Sequence, residues 1–322
     1  MIKPPHMFLL IIHQVLRIAF ERRFALMLAG FCCAGLLSTA VSYTQDEGPT
    51  RHLWDTAYIK KPAGPAPERK SVKRSYKIAT PNVPVEGVSP DTVIGVTIWR
   101  LRPARSAESA ERIIVHEQAG ATELVPERVS ADAKLNEGDR VRFSIEAART
   151  GYLYVIDRER YANGTVGDAV LIFPTTRTRG GDNSVKAGRI IEIPSQEDSP
   201  PFFTMRKSRA DNVGENLIVL VTPAPLSDVE ISERAQNLAA DKVALWEKSW
   251  GNSIGRLDME NSEGSSWTKS ERDAGADATR SLTEEEPAPQ TLYYRPGATA
   301  ADPVLVKVQL QYGKPSPRAV RR

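Results

Sequence analysis

Between residues 93 and 221 the chain is a succession of short β-branched and aromatic runs, each closed by Gly or Pro, with no helical repeat between them. Val93-Ile94-Gly95-Val96-Thr97-Ile98-Trp99 opens the series, and Arg112-Ile113-Ile114-Val115-His116 follows. Val141, Phe143 and Ile145 alternate with Arg142, Ser144 and Glu146, the period of a half-buried strand. Tyr152-Leu153-Tyr154-Val155-Ile156 and Ala169-Val170-Leu171-Ile172-Phe173 are apolar on both faces, which is the pattern of central strands. Ile190, Ile191 and Ile193 stop at Pro194, and Leu217-Ile218-Val219-Leu220-Val221 stops before Pro223. Strands at this spacing, without crossover helices, require antiparallel pairing in a sandwich or barrel. The expected fold is all-β: an antiparallel immunoglobulin-like sandwich over residues 91–226. The two cysteines are adjacent, Cys32 and Cys33, so no disulfide between sheets supports that assignment.

Beyond the strands, residues 227–250 read as an amphipathic helix. Ser227 and Glu230 have capping-box spacing, Ala235, Ala239, Val243, Trp246 and Trp250 recur at helical spacing, and Gly251 ends the pattern. Residues 251–290 are polar, with Arg256, Lys269, Arg272 and Arg280 against nine carboxylates, and are expected to be disordered. Residues 291–312 end in a regular alternation, Val304, Val306, Val308, Leu310 and Tyr312, which demands a pairing partner and is expected to return to the sandwich. Residues 313–322 form a basic tail.

At the other end, residues 24–41 carry no charge, Arg22 and Arg23 precede them, and small residues close them. Residues 1–42 therefore read as a signal peptide or an uncleaved signal anchor, with the remainder sent across the membrane in either case. Residues 43–90 form a proline-rich basic linker, either a soluble spacer or a stalk lying on an anionic membrane surface. The chain has 43 Lys and Arg against 40 Asp and Glu. Lys3, Arg17, Arg22 and Arg23 oppose Glu21 in the first 42 residues, so the remainder is neutral. That removes the electrostatic argument for nucleic acid. The expected location is periplasmic or otherwise extracytoplasmic.

Catalytic groups are scarce. Past residue 42 the only histidines are His52 and His116, which argues against a His-based general base or a two-His metal site. Gly251-Asn252-Ser253-Ile254-Gly255 matches a nucleophile-elbow spacing, but that motif needs a strand before it and a helix after it. Asp157, Glu159, Asp168 and Asp182 fit no EF-hand spacing. No catalytic residue, metal or cofactor is assigned. Two loops are the better candidates. Arg177, Arg179, Asp182 and Asn183 combine guanidinium groups with a Gly-rich turn, a means of holding an anion. Phe202, Phe203, Arg206 and Arg209 combine the aromatic and Arg side chains that anchor protein interfaces. Trp246 and Trp250 form a stripe that grips a partner or packs on its own sheet. In a simple meander the two loops lie at opposite ends, the second sharing its end with residues 157–168.

The ordered set Gly138-Asp139-Arg140-Val141-Arg142-Phe143, Gly151-Tyr152-Leu153-Tyr154-Val155-Ile156-Asp157, Leu171-Ile172-Phe173-Pro174, Gly181-Asp182-Asn183 and Ile191-Glu192-Ile193-Pro194 resembles the bacterial domain-of-unknown-function family 4384. The resemblance runs over roughly residues 94–225. It implies a β-rich module on exported or envelope-associated proteins, and it carries no catalytic residue. The expected function is a non-catalytic, exported β-sandwich module mediating protein–protein interaction in the cell envelope. The alternative is a module binding an anionic glycan or lipid headgroup through Arg177 and Arg179, with a hydrolase last.

Overall fold

The computed structural model describes residues 76–85, 88–117, 120–276, 282 and 286–313. The signal segment, most of the linker and the basic tail lie outside the described residues. Two sheets face each other. In the first, β2 (Ile94–Pro103) is central. One edge of β2 pairs with β6 (Arg140–Ala147) along Ile94 to Leu101. Its other edge is shared: Ile94 to Val96 pair with β15 (Thr291–Tyr294), and Ile98 to Pro103 with β4 (Gly120–Val129). The sheet extends through β15 to β14 (Gly255–Met259) and β1 (Tyr76–Ile78), through β4 to β3 (Ile113–Glu117), and through β6 to β10 (Ile190–Ile193) and β11 (Phe203–Thr204).

In the second sheet the order is β13 (Gln236–Leu238), β8 (Ala169–Phe173), β7 (Gly151–Tyr161), β12 (Asn212–Thr222), β16 (Val304–Tyr312) and β5 (Lys134–Leu135). The two-residue β9 (Ser184–Val185) also pairs with β7. β5 lies parallel to β16, and every other pairing is antiparallel. The alternating residues of the sequence fill the space between the sheets. Ile94, Val96 and Ile98 join Phe143 and Ile145 from one sheet, and Val155, Val219, Val306 and Val308 meet them from the other. This is an all-β sandwich. Among the described residues, no helix is long and apolar enough to cross a membrane.

The helix is shorter than its sequence pattern. α1 spans Ala240–Trp250 with Ala239 at its N-cap, so Ser227 caps nothing. Residues 236–238 pair instead with the edge of β8, where unpaired backbone groups outweigh a local capping signal. Val243 and Trp246 pack on the outer face of the second sheet against Tyr154, Ile156, Leu171, Ile218 and Leu305. Trp250 is half-buried and stacks on Trp246, centroids 5.9 Å apart.

Residues 251–276 correct the expectation of disorder. They supply β14 and a second helix, α2 (Lys269–Ala276), which lies over the outer face of the first sheet. Trp267 inserts beside Trp99, Leu101 and Phe202. Thr268 and Glu271 form a reciprocal capping box, with the Thr268 N–H and hydroxyl donating to Glu271 and the Glu271 N–H donating to the Thr268 oxygen. Glu271 also takes Arg128, and beneath the same cover Arg142 donates to Glu192 at 2.7 Å. Glu271, which counts as solvated charge in the sequence, is thus the counter-ion of a buried arginine. The last part of the linker is ordered as well: β1 extends the first sheet, and Tyr76, Val83 and Val88 pack on Leu257, Leu292 and Tyr294.

Candidate functional site: a carboxyl-lined cleft at one end of the sandwich

The core opens to the surface between β11 and the last residues of β16. The opening is a cleft of about 180 Å³. Val141, Phe143, Leu217 and Leu310 form its apolar floor, Asp157 and Glu215 its acidic wall, and Phe203, Thr204, Arg206 and Tyr312 its rim. Strand parity places each side chain. Asp157 is in phase with inward Leu153 and Val155, and Tyr312 is in phase with Val308 and Leu310. Phe203 pairs with Val141 across β11 and β6, faces inward, and meets Phe143 with centroids 6.2 Å apart.

A β-bulge brings the acidic wall together. Asn212 and Glu215 are three residues apart, a spacing that puts two side chains of a regular strand on opposite faces. Val213 is an extra residue between the paired Asn212 and Gly214, so both polar side chains turn inward. The Asn212 amide then donates to Glu215 (3.2 Å) and to Glu159 (3.1 Å). Gly214 is obligatory at the bulge: a Cβ there would lie 2.1 Å from the Leu310 carbonyl oxygen and 2.7 Å from Arg160 Nη2.

The carboxyls differ in how they are satisfied. Glu159 accepts from Ser208, from the Tyr161 hydroxyl (2.6 Å) and from Asn212, and these bonds outweigh the opposing effect of burial, so its pKa is lowered. Glu215 is 6% exposed. Burial first, and the Asp157 charge second, push its pKa up to about 7. Burial likewise pushes Asp157 up to about 7. Each keeps one buried oxygen, Glu215 Oε2 and Asp157 Oδ1, with no hydrogen-bond donor. The Tyr312 hydroxyl lies 2.7 Å from the Arg206 carbonyl and 3.0 Å from Glu215 Oε1, one proton for two acceptors.

The predicted interface residues divide by parity. Phe203 and Arg206 line the cleft. Phe202 turns to the opposite face of the sheet, beside Trp99 and Trp267, with the Arg140 guanidinium over its ring. Arg209 pairs with Asp211 at 2.8 Å and covers the Tyr161 ring. Trp246 is enclosed under α1 and offers no surface to a partner.

The arginine loop builds a second, separate cleft of about 380 Å³. Arg179 and Asp182 line it, but so do Glu192, Glu197 and Asp198. Arg179 faces Asp182 at 3.6 Å in this cleft, and Glu192 is already paired with Arg142. Asn183 is buried and donates to the Leu153 carbonyl, and Arg177 is exposed beside Glu233, so neither belongs to this cleft. Residues 195–198 do join the arginine loop, through the Arg179 N–H facing Asp198 at 3.4 Å, whereas residues 203–206 reach the Asp157 end. A simple meander does not allow this. The chain crosses to the first sheet at β10, so the segment after Pro194 runs along β6 from one end of the sandwich toward the other.

Ser253 sits in an exposed turn after a helix and before a strand, the reverse of a nucleophile elbow. His116 is exposed on the edge strand β3. Asp168 is exposed and Asp182 belongs to the arginine cleft, so the four acidic residues considered for calcium do not converge. Among the described residues, no group of three or more His, Cys, Asp or Glu is placed to hold a metal ion. Glu215 and Tyr312 escaped the sequence reading. Their signal was present: each is a polar residue continuing the inward parity of an apolar strand.

No curated protein and no solved structure matches the chain. Residues 134–223, the run from β5 to β12 that supplies Asp157, Phe203 and Glu215, match the family described as Domain of unknown function (DUF4384).

Proposed function

We propose that this chain is an exported, non-catalytic sandwich module that binds a protein partner in the bacterial cell envelope, using the cleft between β11 and β16. The observation that carries the reading is the opening of the apolar core at that end, rimmed by Phe203 and Arg206. An aromatic and an arginine around a desolvated floor are the usual anchors of an interface. Size supports a protein partner over an enclosed substrate. The cleft holds about 180 Å³, whereas small-molecule sites run to roughly 300–1,000 Å³. The charge-free stretch at residues 24–41 behind Arg22 and Arg23 supports export.

Connectivity supports the finer reading of the fold as immunoglobulin-like. β2, β6 and β10 lie in one sheet, and β8, β7, β12 and β16 lie in the other, with the chain changing sheets between β6 and β7 and between β10 and β12.

The test compares capture from the native envelope by the tagged full chain and by three variants. The expected result is one dominant co-purifying protein, lost with Phe203→Ala and with Arg206→Glu and retained with Leu245→Ala, a change on the exposed face of α1. Retention by all three variants would place the interface elsewhere, and turnover of a substrate by the purified chain would contradict the non-catalytic reading.

A further inference from the structure

We propose that the cleft is a socket for one ammonium group on an aliphatic stem, a lysine side chain supplied by the partner; this deepens the reading above and rests on it. The case is a shortage of donors in a place already shaped for a cation. Glu215 is 6% exposed and lines the cleft with Oε2 unpartnered. Asp157 Oδ1, on the same wall, is buried and equally without a donor. Asp157 pairs with Leu217 across β7 and β12, so Asp157 and Glu215 are diagonal neighbours on one sheet face. A buried acceptor without a donor is costly, and a carboxylate more so.

Among the described residues no cation meets that need, and neither carboxyl is in an ion pair: Arg206 is exposed on the rim, Arg160 directs Nη2 at the Leu310 carbonyl, and the Lys207 ammonium lies over the Tyr312 ring, 4.9 Å from its centroid. Glu159, the third carboxyl of this end, already has Ser208, Tyr161 and Asn212. An arriving ammonium brings three N–H donors, enough for Glu215 Oε2, Asp157 Oδ1 and the oxygen that shares the Tyr312 proton. Val141, Phe143, Leu217 and Leu310 give the cleft apolar surface beside these carboxyls, which suits the methylene stem of a lysine.

The probe is n-pentylammonium, with n-pentanol and pentanoate as controls of equal length. It is titrated into the full chain while the methyl NMR signals of Val141, Leu217 and Leu310 are followed. The expected result is saturable shifts with pentylammonium, at least about tenfold weaker affinity for pentanol, and no response to pentanoate. The Asp157→Asn/Glu215→Gln chain should bind pentylammonium at least about tenfold more weakly. Equal affinity for pentanol and pentylammonium would overturn the proposal, because the cleft would then be merely apolar. So would saturable shifts with calcium chloride and none with the amine. The pentanol and pentanoate comparisons need no variant, so the test survives a variant that fails to fold. An amine response without a captured partner would sink the protein-partner reading alone, and a captured partner without an amine response would sink the socket alone.

Discussion

Glu215 occupies a position that strand parity reserves for an apolar side chain, two residues before Leu217 on the face that builds the core. Burial raises its pKa and that of Asp157 to about 7, whereas the same groups titrate near ~4 in an unfolded chain. Between those values the folded protein holds protons that the unfolded chain releases. The stability they contribute is complete below about pH 4 and is lost as the pH rises through about 7. The melting temperature of the native sequence should therefore fall from pH 5 to pH 8 more steeply than that of Asp157→Asn/Glu215→Gln, by on the order of 5 °C. Parallel profiles for the two chains would show that the carboxyls ionise in the folded state much as in the unfolded chain. Glu159, only two residues from Asp157, behaves oppositely because it has its own donors. Neighbours of one chemical type thus divide into a satisfied anchor and an unsatisfied wall.

Two segments carry the same capping-box spacing, Ser227 to Glu230 and Thr268 to Glu271, and only the second starts a helix. Long-range contacts account for the difference. Glu271 meets Arg128, 143 residues away, whereas the chain after Ser227 is drawn to the free edge of β8. Thr268→Ala should cost about 1 kcal/mol in urea unfolding, the worth of a cap. Glu271→Ala should cost about 3–5 kcal/mol, because it leaves Arg128 buried without its counter-ion. Equal costs would mean that the ion pair adds nothing to the cap. The central strands were legible because burial on both faces leaves a continuous apolar run, as at 152–156 and 217–221. The cover formed by residues 260–276 was not, because its charged residues look solvated until their buried partners are known. The cleft was half legible. Phe203 and Arg206 advertise an interface by residue type, and Glu215 follows the parity of Leu217, while the inward turn of Asn212 beside it depends on the bulge at Val213, which no local pattern announces.

At the scale of the molecule, the family segment is not a self-sufficient sandwich. Residues 134–223 include β6, β7, β8, β10 and β12, but β2 covers the inner edge of β6 and β16 covers the inner edge of β12, and both strands lie outside that segment. A fragment of residues 134–223 would expose two long strand edges and half of the core. It should show no cooperative thermal transition, whereas residues 76–313 should show one. A cooperative transition in the short fragment would mean that β2 and β16 are additions and not closures. The same β16 also brings Leu310 and Tyr312 to the cleft, so completing the fold and completing the site are one event. The most direct test of the account is a photo-crosslinker placed at Thr204, on the exposed rim, and separately at Leu245, on the exposed face of α1, in the full chain within its native envelope. A partner adduct from position 204 and none from position 245 is the predicted result. An adduct from position 245 alone would contradict the cleft as the binding surface.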